Sequence, residues 1–154
     1  MHKAQAGFSL IEILISLAIC VLLLTIGSVA FVNSRSAKQL DTITDSIASK
    51  LEEARAAAIS GKNGTNFGVA FSSTTYTYWS GSSYSAGATG NIVYPLTSGF
   101  SISSTIPGST FSIRFSRVSG TPSATGTITI TKNGSSSTTD SITVGSLGDI
   151  TVIK

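Results

Sequence analysis

Three patterns of apolar and polar positions follow one another along the chain. Residues 8–32 are apolar almost without a break, and Glu12 is the single charge among them. Residues 13–32 carry no charge, and as a helix rising 1.5 Å per residue they span about 30 Å, one hydrocarbon core. From residue 33 to 60 the period changes. Ala37, Leu40, Ile43, Ile47, Leu51, Ala54 and Ala58 recur at steps of three and four, with Lys38, Asp41, Asp45, Lys50, Glu52 and Glu53 on the other side. That spacing predicts an amphipathic helix with one apolar stripe. Ser60-Gly61 supplies a stop, and Asn63-Gly64 marks a turn. Joined, the two segments predict one helix from about Ser9 to Ser60, about 78 Å long at the helical rise. Its stripe is expected to face a sheet.

After residue 65 the period becomes two. Phe67, Val69 and Phe71 alternate, as do Tyr76 and Tyr78, then Phe111, Ile113 and Phe115. Ile128 with Ile130, Ile142 with Val144, and Ile150 with Val152 repeat the pattern, and residues 92–94 and 100–102 are shorter candidates. These read as strands with one buried face. Turn residues separate them at Ser72-Ser73, Pro107-Gly108, Thr121-Pro122 and Asn133-Gly134. The connections are too short for crossover helices, so the sheets are expected to be antiparallel. Residues 81–90 read as a mobile loop or insertion, and 135–139 as a flexible hairpin tip. So small a β domain needs the helix as a lid.

Composition narrows the function. Of 154 residues, 28 are Ser and 20 are Thr, while only 11% are charged. One Cys, Cys20, excludes an internal disulfide and a cysteine-based zinc site. Cys20 reads as an apolar packing residue. The only His is His2, so no histidine-based triad or metal centre can form beyond it. After residue 60 the acids are Asp140 and Asp149 alone, too few for a calcium site. No catalytic residue, metal or cofactor is expected, and the chain reads as a non-enzyme.

The apolar head admits three readings. A secretory signal peptide would be cut after Ser28-Val29-Ala30, but its apolar region is usually shorter. A plain signal anchor allows the length but leaves Glu12 unexplained, because a carboxylate in hydrocarbon is costly. The third is a prepilin leader. GFSLIE at 7–12 resembles the cleavage motif of type IV pilins and type II secretion pseudopilins. The resemblance implies a basic leader at 1–7, peptidase cleavage between Gly7 and Phe8, and N-methylation of Phe8. It also implies that Glu12 of one subunit meets the Phe8 amine of a neighbour during assembly. Chemically, Gly7 lets a protease approach the scissile bond, and the amine created by cleavage supplies the partner that Glu12 needs.

A second stretch, LEEARAAAISGKN at 51–63, resembles the helix end of GspH/FimT-like minor pilins through Leu51, Ala54, Arg55, Ala58 and Ile59. Arg55 alone reads equally as a solvated cation favoured by the helix dipole. Residues 111–115, 126–130, 142–144 and 148–152 resemble the closing strands of the same group. The resemblance implies an α+β, pilin-like fold: a long N-terminal helix, transmembrane then amphipathic, on a small antiparallel β domain. It divides the chain into a leader at 1–7, a transmembrane and filament-core helix at 8–32, an amphipathic half at 33–60 and a β domain at 61–154. It implies a structural subunit of a type IV pilus or type II secretion pseudopilus. The implied partners are prepilin peptidase, other pilin or pseudopilin subunits, the inner-membrane assembly platform and the lipid bilayer. The implied location is the inner membrane, single-pass with the β domain outside the cytoplasm, and then the filament.

Two other readings stay open. Residues 61–154 carry Lys62, Arg114, Arg117, Lys132 and Lys154 against two acids, with Tyr76, Tyr78, Trp79, Tyr84 and Tyr94 nearby in sequence. A basic, aromatic surface suits DNA through phosphate contacts and stacking, with Arg114, Arg117 and Lys132 as candidate contacts. Against this, Gly148-Asp149-Ile150-Thr151 lacks both arginines of the Gly-Arg-x-Arg motif used by some FimT-like proteins in DNA uptake. The bland alternative makes the arginines edge-strand charges and the aromatics strand core. The last reading is a signal-anchored surface adhesin.

Overall fold

The computed structural model describes residues 9–106, 110–134 and 138–154, and only the backbone for 25–33. The chain forms two compact units, Met1–Ala37 and Lys38–Lys154. Helix α1 covers Leu10–Ile59, followed by a single 3-10 turn at Lys62–Gly64. No proline interrupts it, and residues 51–59 are almost all good helix formers. It stops where Gly61 turns left-handed at φ 66°. In the first unit the side chains from Leu10 to Leu24 are solvent-exposed. Among the described residues no helix is long and apolar enough to cross a membrane. The span expected at 8–32 falls partly on Phe8 and on the side chains of 25–33, which lie outside the description.

In the second unit, Leu40, Ile47, Ala48, Leu51, Ala54, Ala57 and Ala58 of α1 are buried, and Ile43 packs half-buried beside them. The stripe begins one step later than its spacing suggests, because Ala37 is exposed. It also includes Thr44, fully buried. A threonine was not expected on an apolar face, and its hydroxyl is met by Asp140, as described below.

Eight strands follow: β1 Phe67–Phe71, β2 Thr75–Ser80, β3 Ile92–Pro95, β4 Phe100–Ser104, β5 Phe111–Phe115, β6 Gly126–Lys132, β7 Thr139–Val144 and β8 Ile150–Ile153. Every strand stands where the alternation places one. They form two antiparallel sheets, ordered β3-β2-β1-β5 and β4-β6-β7-β8. One core joins the helix stripe to both. Phe67, Val69, Phe71, Tyr76, Tyr78, Phe111, Ile113 and Phe115 come from the first sheet, and Ile102, Ile128, Ile130, Ile142 and Val144 from the second.

The two sheets treat their outer faces differently. In the second, Thr127, Thr129, Thr131, Ser141 and Thr143 alternate with the buried isoleucines, and Thr127 and Thr143 lie 3.2 Å apart through their hydroxyls. Here the abundance of Ser and Thr is the polar face of a one-sided sheet. In the first sheet β1 is buried at every position, and β2 at Tyr76, Thr77, Tyr78 and Trp79. The expectation of one buried face fails there because the loop at 81–91 folds across the outer surface. Tyr84 packs 5.9 Å from the Trp79 ring, and Arg114 Nη1 donates to the Ser82 carbonyl at 2.6 Å. Within the loop, Asn91 donates to the Ser85 carbonyl. The segment expected to be a mobile loop or insertion thus touches the sheet through Ser82 and Tyr84, while most of its residues are exposed. Strand β3 departs the other way: Ile92 and Val93 are exposed at the sheet edge.

Thr121-Pro122 is not a simple turn either. The chain reverses at 117–120, and Pro122 bridges back to Phe115. The proposed turn at Pro107-Gly108 lies outside the described residues, as do 135–137 of the proposed hairpin tip.

Candidate functional site

Glu12 sits in the first turn of α1, the acidic residue favoured by the positive end of the helix dipole. Its amide donates to the Ser9 carbonyl at 3.0 Å, and its own carbonyl accepts the Ser16 hydroxyl at 2.7 Å. The side chain is exposed, with Ile13, Ser16, Leu17 and Cys20 along the same side of the helix. A carboxylate is therefore presented on an otherwise apolar helical surface. Gly7 and Phe8 lie outside the described residues.

Arg114, Arg117 and Lys132 do not gather into one patch of free cations. Arg114 lies in β5 of the first sheet, while Lys132 ends β6 of the second. Arg114 is tied to the Ser82 carbonyl, and Arg117 Nη1 donates to the Gly64 carbonyl at 3.1 Å. Both arginines brace loops against the domain. The alternative reading of Tyr76, Tyr78 and Trp79 as strand core holds, since all three are buried. Tyr76 and Tyr94 stack at 5.0 Å, and the Lys50 ammonium lies 5.3 Å from the Tyr94 ring centroid. Burial, and then Tyr94, pushes the Tyr76 phenol upward in pKa; burial is also the leading cause for Tyr78. The hydrogen bond that the Lys50 ammonium donates to Glu53 raises the Lys50 pKa.

Arg55 is no free helix-end cation. Its Nη2 donates to the Leu147 carbonyl at 3.0 Å, and its stem packs beside Gly120 and Gly148. Val118 N donates to the Ala58 carbonyl at 2.9 Å, satisfying one of the open acceptors at the helix end. The C-terminal end of α1 is thus clamped by the loops at 117–120 and 145–149. Leu51, Ala54 and Ala58 are all fully buried beneath it.

Two groups escaped the sequence reading. Asp140, weighed only as a metal ligand, is buried and accepts the Thr44 hydroxyl at 2.9 Å. Lys154 Nζ meets Asp45 at 2.9 Å, which raises the lysine pKa. Only the place of Thr44 in the apolar stripe, at an inward helical position, pointed to the first. Among the described residues no group of acids and cysteines can hold a metal ion.

A helix carrying an acid in its first turn, with its second half in the core of two small antiparallel sheets, defines a pilin-type subunit. Residues 2–28 match the prokaryotic N-terminal methylation motif, and residues 44–148 match the family described as type II transport protein GspH. The second match covers more than half of the chain, and the protein belongs to that family. It is a family of structural pilins and pseudopilins, not of known enzymes, and its role lies in type II secretion or type IV pili. Prepilin-type proteins are anchored in a membrane before assembly, which implies a prepilin peptidase and fellow subunits as partners. No curated protein and no solved structure matches the chain.

Proposed function

We propose that the protein is a minor pilin or pseudopilin that prepilin peptidase cuts between Gly7 and Phe8. Phe8 is then N-methylated, and the subunit enters a filament through its N-terminal helix. The observation that carries this reading is Glu12, an exposed acid in the first turn of an apolar helix inside a matched methylation motif. While the helix lies in lipid, through residues 8–32, an unpaired carboxylate is penalised. In a filament the Phe8 amine of a neighbouring subunit relieves the penalty, so pairing sets the axial register. The platform in the inner membrane supplies the subunit, and the β domain stays outside the cytoplasm.

Mass analysis of the membrane-extracted protein, with and without prepilin peptidase, tests the processing. A methylated N-terminus at Phe8 is expected only with the peptidase. A start at Phe31 would mean a signal peptidase cut after Ala30 and would overturn the reading. An intact Met1 with active peptidase would leave a plain anchor.

A further inference from the structure

The chain holds two Asn-Gly steps, Asn63-Gly64 and Asn133-Gly134, and all four residues are exposed. In such a step the glycine amide can attack the asparagine side chain, because no Cβ on the glycine obstructs the approach. In sequence the two steps are equivalent. In the fold they are not. The Gly64 amide, which would be the nucleophile, donates to the Gly61 carbonyl at 2.9 Å. The Gly64 carbonyl accepts Arg117 Nη1 at 3.1 Å, and the next amide, Thr65 N, donates to the Lys62 carbonyl at 3.3 Å. Turning Gly64 onto the Asn63 side chain would break these contacts. Asn133 is anchored on its other side, through its own amide to the Gly99 carbonyl at 2.8 Å. Gly134 makes no hydrogen bond among the described residues, and a Cβ built on it would meet nothing within 4 Å. The Asn133 side chain has one partner: its Oδ1 accepts the Ser101 hydroxyl at 3.0 Å. That contact falls on the oxygen that gains charge when Cγ is attacked, and it leaves Nδ2 free to depart.

We propose that Asn133 is a site of spontaneous modification, converting to aspartate and isoaspartate, and that the fold protects Asn63 from the same reaction. Gly134 N loses its proton to solvent and bonds to Asn133 Cγ. The bond from Cγ to Nδ2 breaks, and Nδ2 takes up a proton and leaves as ammonia. Water then opens the cyclic imide. Cleavage between Cγ and Gly134 N gives aspartate. Cleavage between the Asn133 backbone carbonyl carbon and Gly134 N gives isoaspartate, with the main chain routed through the side chain. No redox partner is needed, and water is the only co-reactant. The product carries a new carboxylate next in sequence to Lys132, where β6 ends. Loss of ammonia makes the change one-way, so it accumulates with the age of the molecule.

The full-length protein in detergent micelles, incubated in neutral buffer made with heavy-oxygen water, tests the proposal. Peptide mass spectrometry follows acid formation at both asparagines, and heavy oxygen in the product marks conversion during the incubation. Asn133 is expected to convert at least about tenfold faster than Asn63, the worth of the hydrogen bonds that hold Gly64. In denaturant, where the fold no longer distinguishes the two steps, the rates should converge. Asn133→Gln lengthens the side chain, slows ring closure and should abolish most of the acid formed at 133. Equal rates in the folded protein, faster conversion at Asn63, or no conversion at Asn133 would overturn the proposal. A rate difference that persists in denaturant would overturn the protection by the fold.

Discussion

Gly68 leaves the space that Trp79 fills. A Cβ there would stand 2.4 Å from the Ile113 carbonyl oxygen and 2.9 Å from the Trp79 ring. The carbonyl belongs to the paired strand and cannot step aside, so Gly68→Ala should destabilise the fold by about 1–3 kcal/mol, measured by urea unfolding. Thr44 and Asp140 make the opposite case, in which a polar pair sits inside the core. Thr44→Val deprives a buried carboxylate of its donor and should cost about 1–3 kcal/mol in the same assay. A cost within error would show that Asp140 is satisfied without Thr44. Tyr76 and Tyr78 set an alkaline limit. Their pKa values are raised by burial, so the folded state holds its phenolic protons longer than the unfolded chain. This contribution is complete below about pH 10, the ordinary phenol pKa, and is lost as pH climbs through the raised folded values. Unfolding followed across that range, with tyrosinate absorbance, should show stability falling from about pH 10 upward.

At the scale of elements, the C-terminal end of α1 depends on loops far away in sequence. Arg55 reaches the Leu147 carbonyl, and Val118 N reaches that of Ala58. Arg55→Met keeps much of the stem packing but removes the charged donor. It should cost about 1–3 kcal/mol and speed amide exchange at 145–149, since hydrogen bonds from charged groups are the stronger kind. Unchanged exchange there would mean that the turn holds itself, through Gly145 N to the Asp149 carbonyl. The elements themselves were readable from periodicity: the helix by its threes and fours, each strand by its alternation. What alternation missed was which strands are covered twice. Trp79 and Thr77 look like an outer face in sequence, yet both are buried, Trp79 with Tyr84 of the 81–91 loop against its ring.

At the scale of the molecule, the core needs the second half of α1. The buried stripe of α1 shares one cluster with both sheets. Deleting residues 1–37 should leave a domain that unfolds cooperatively. Deleting 1–59 should leave a chain that aggregates, with circular dichroism and denaturant unfolding as the measurement. Glu12→Ala belongs to this scale too. It should leave processing largely intact while reducing incorporation into filaments, measured by fractionating sheared filaments. Normal incorporation would remove Glu12 from the assembly mechanism.

What the sequence by itself determined is what short-range physics decides: an apolar head with one acid, a helix of two characters and eight alternating strands. The family followed from the motif at 7–12 and the helix end at 51–63. The destinations of the polar side chains were decided only by the tertiary structure. Arg55, Arg114 and Arg117 read as free cations because their acceptors, the carbonyls of Leu147, Ser82 and Gly64, are backbone groups and leave no mark in residue identity. Asp140 meets Thr44 across 96 positions. Trp79, Gly68 and Arg114 become neighbours only in the register of three strands. Hydrophobic periodicity is local and survives in one dimension; hydrogen-bond partnership between distant segments comes into being when the chain closes on itself.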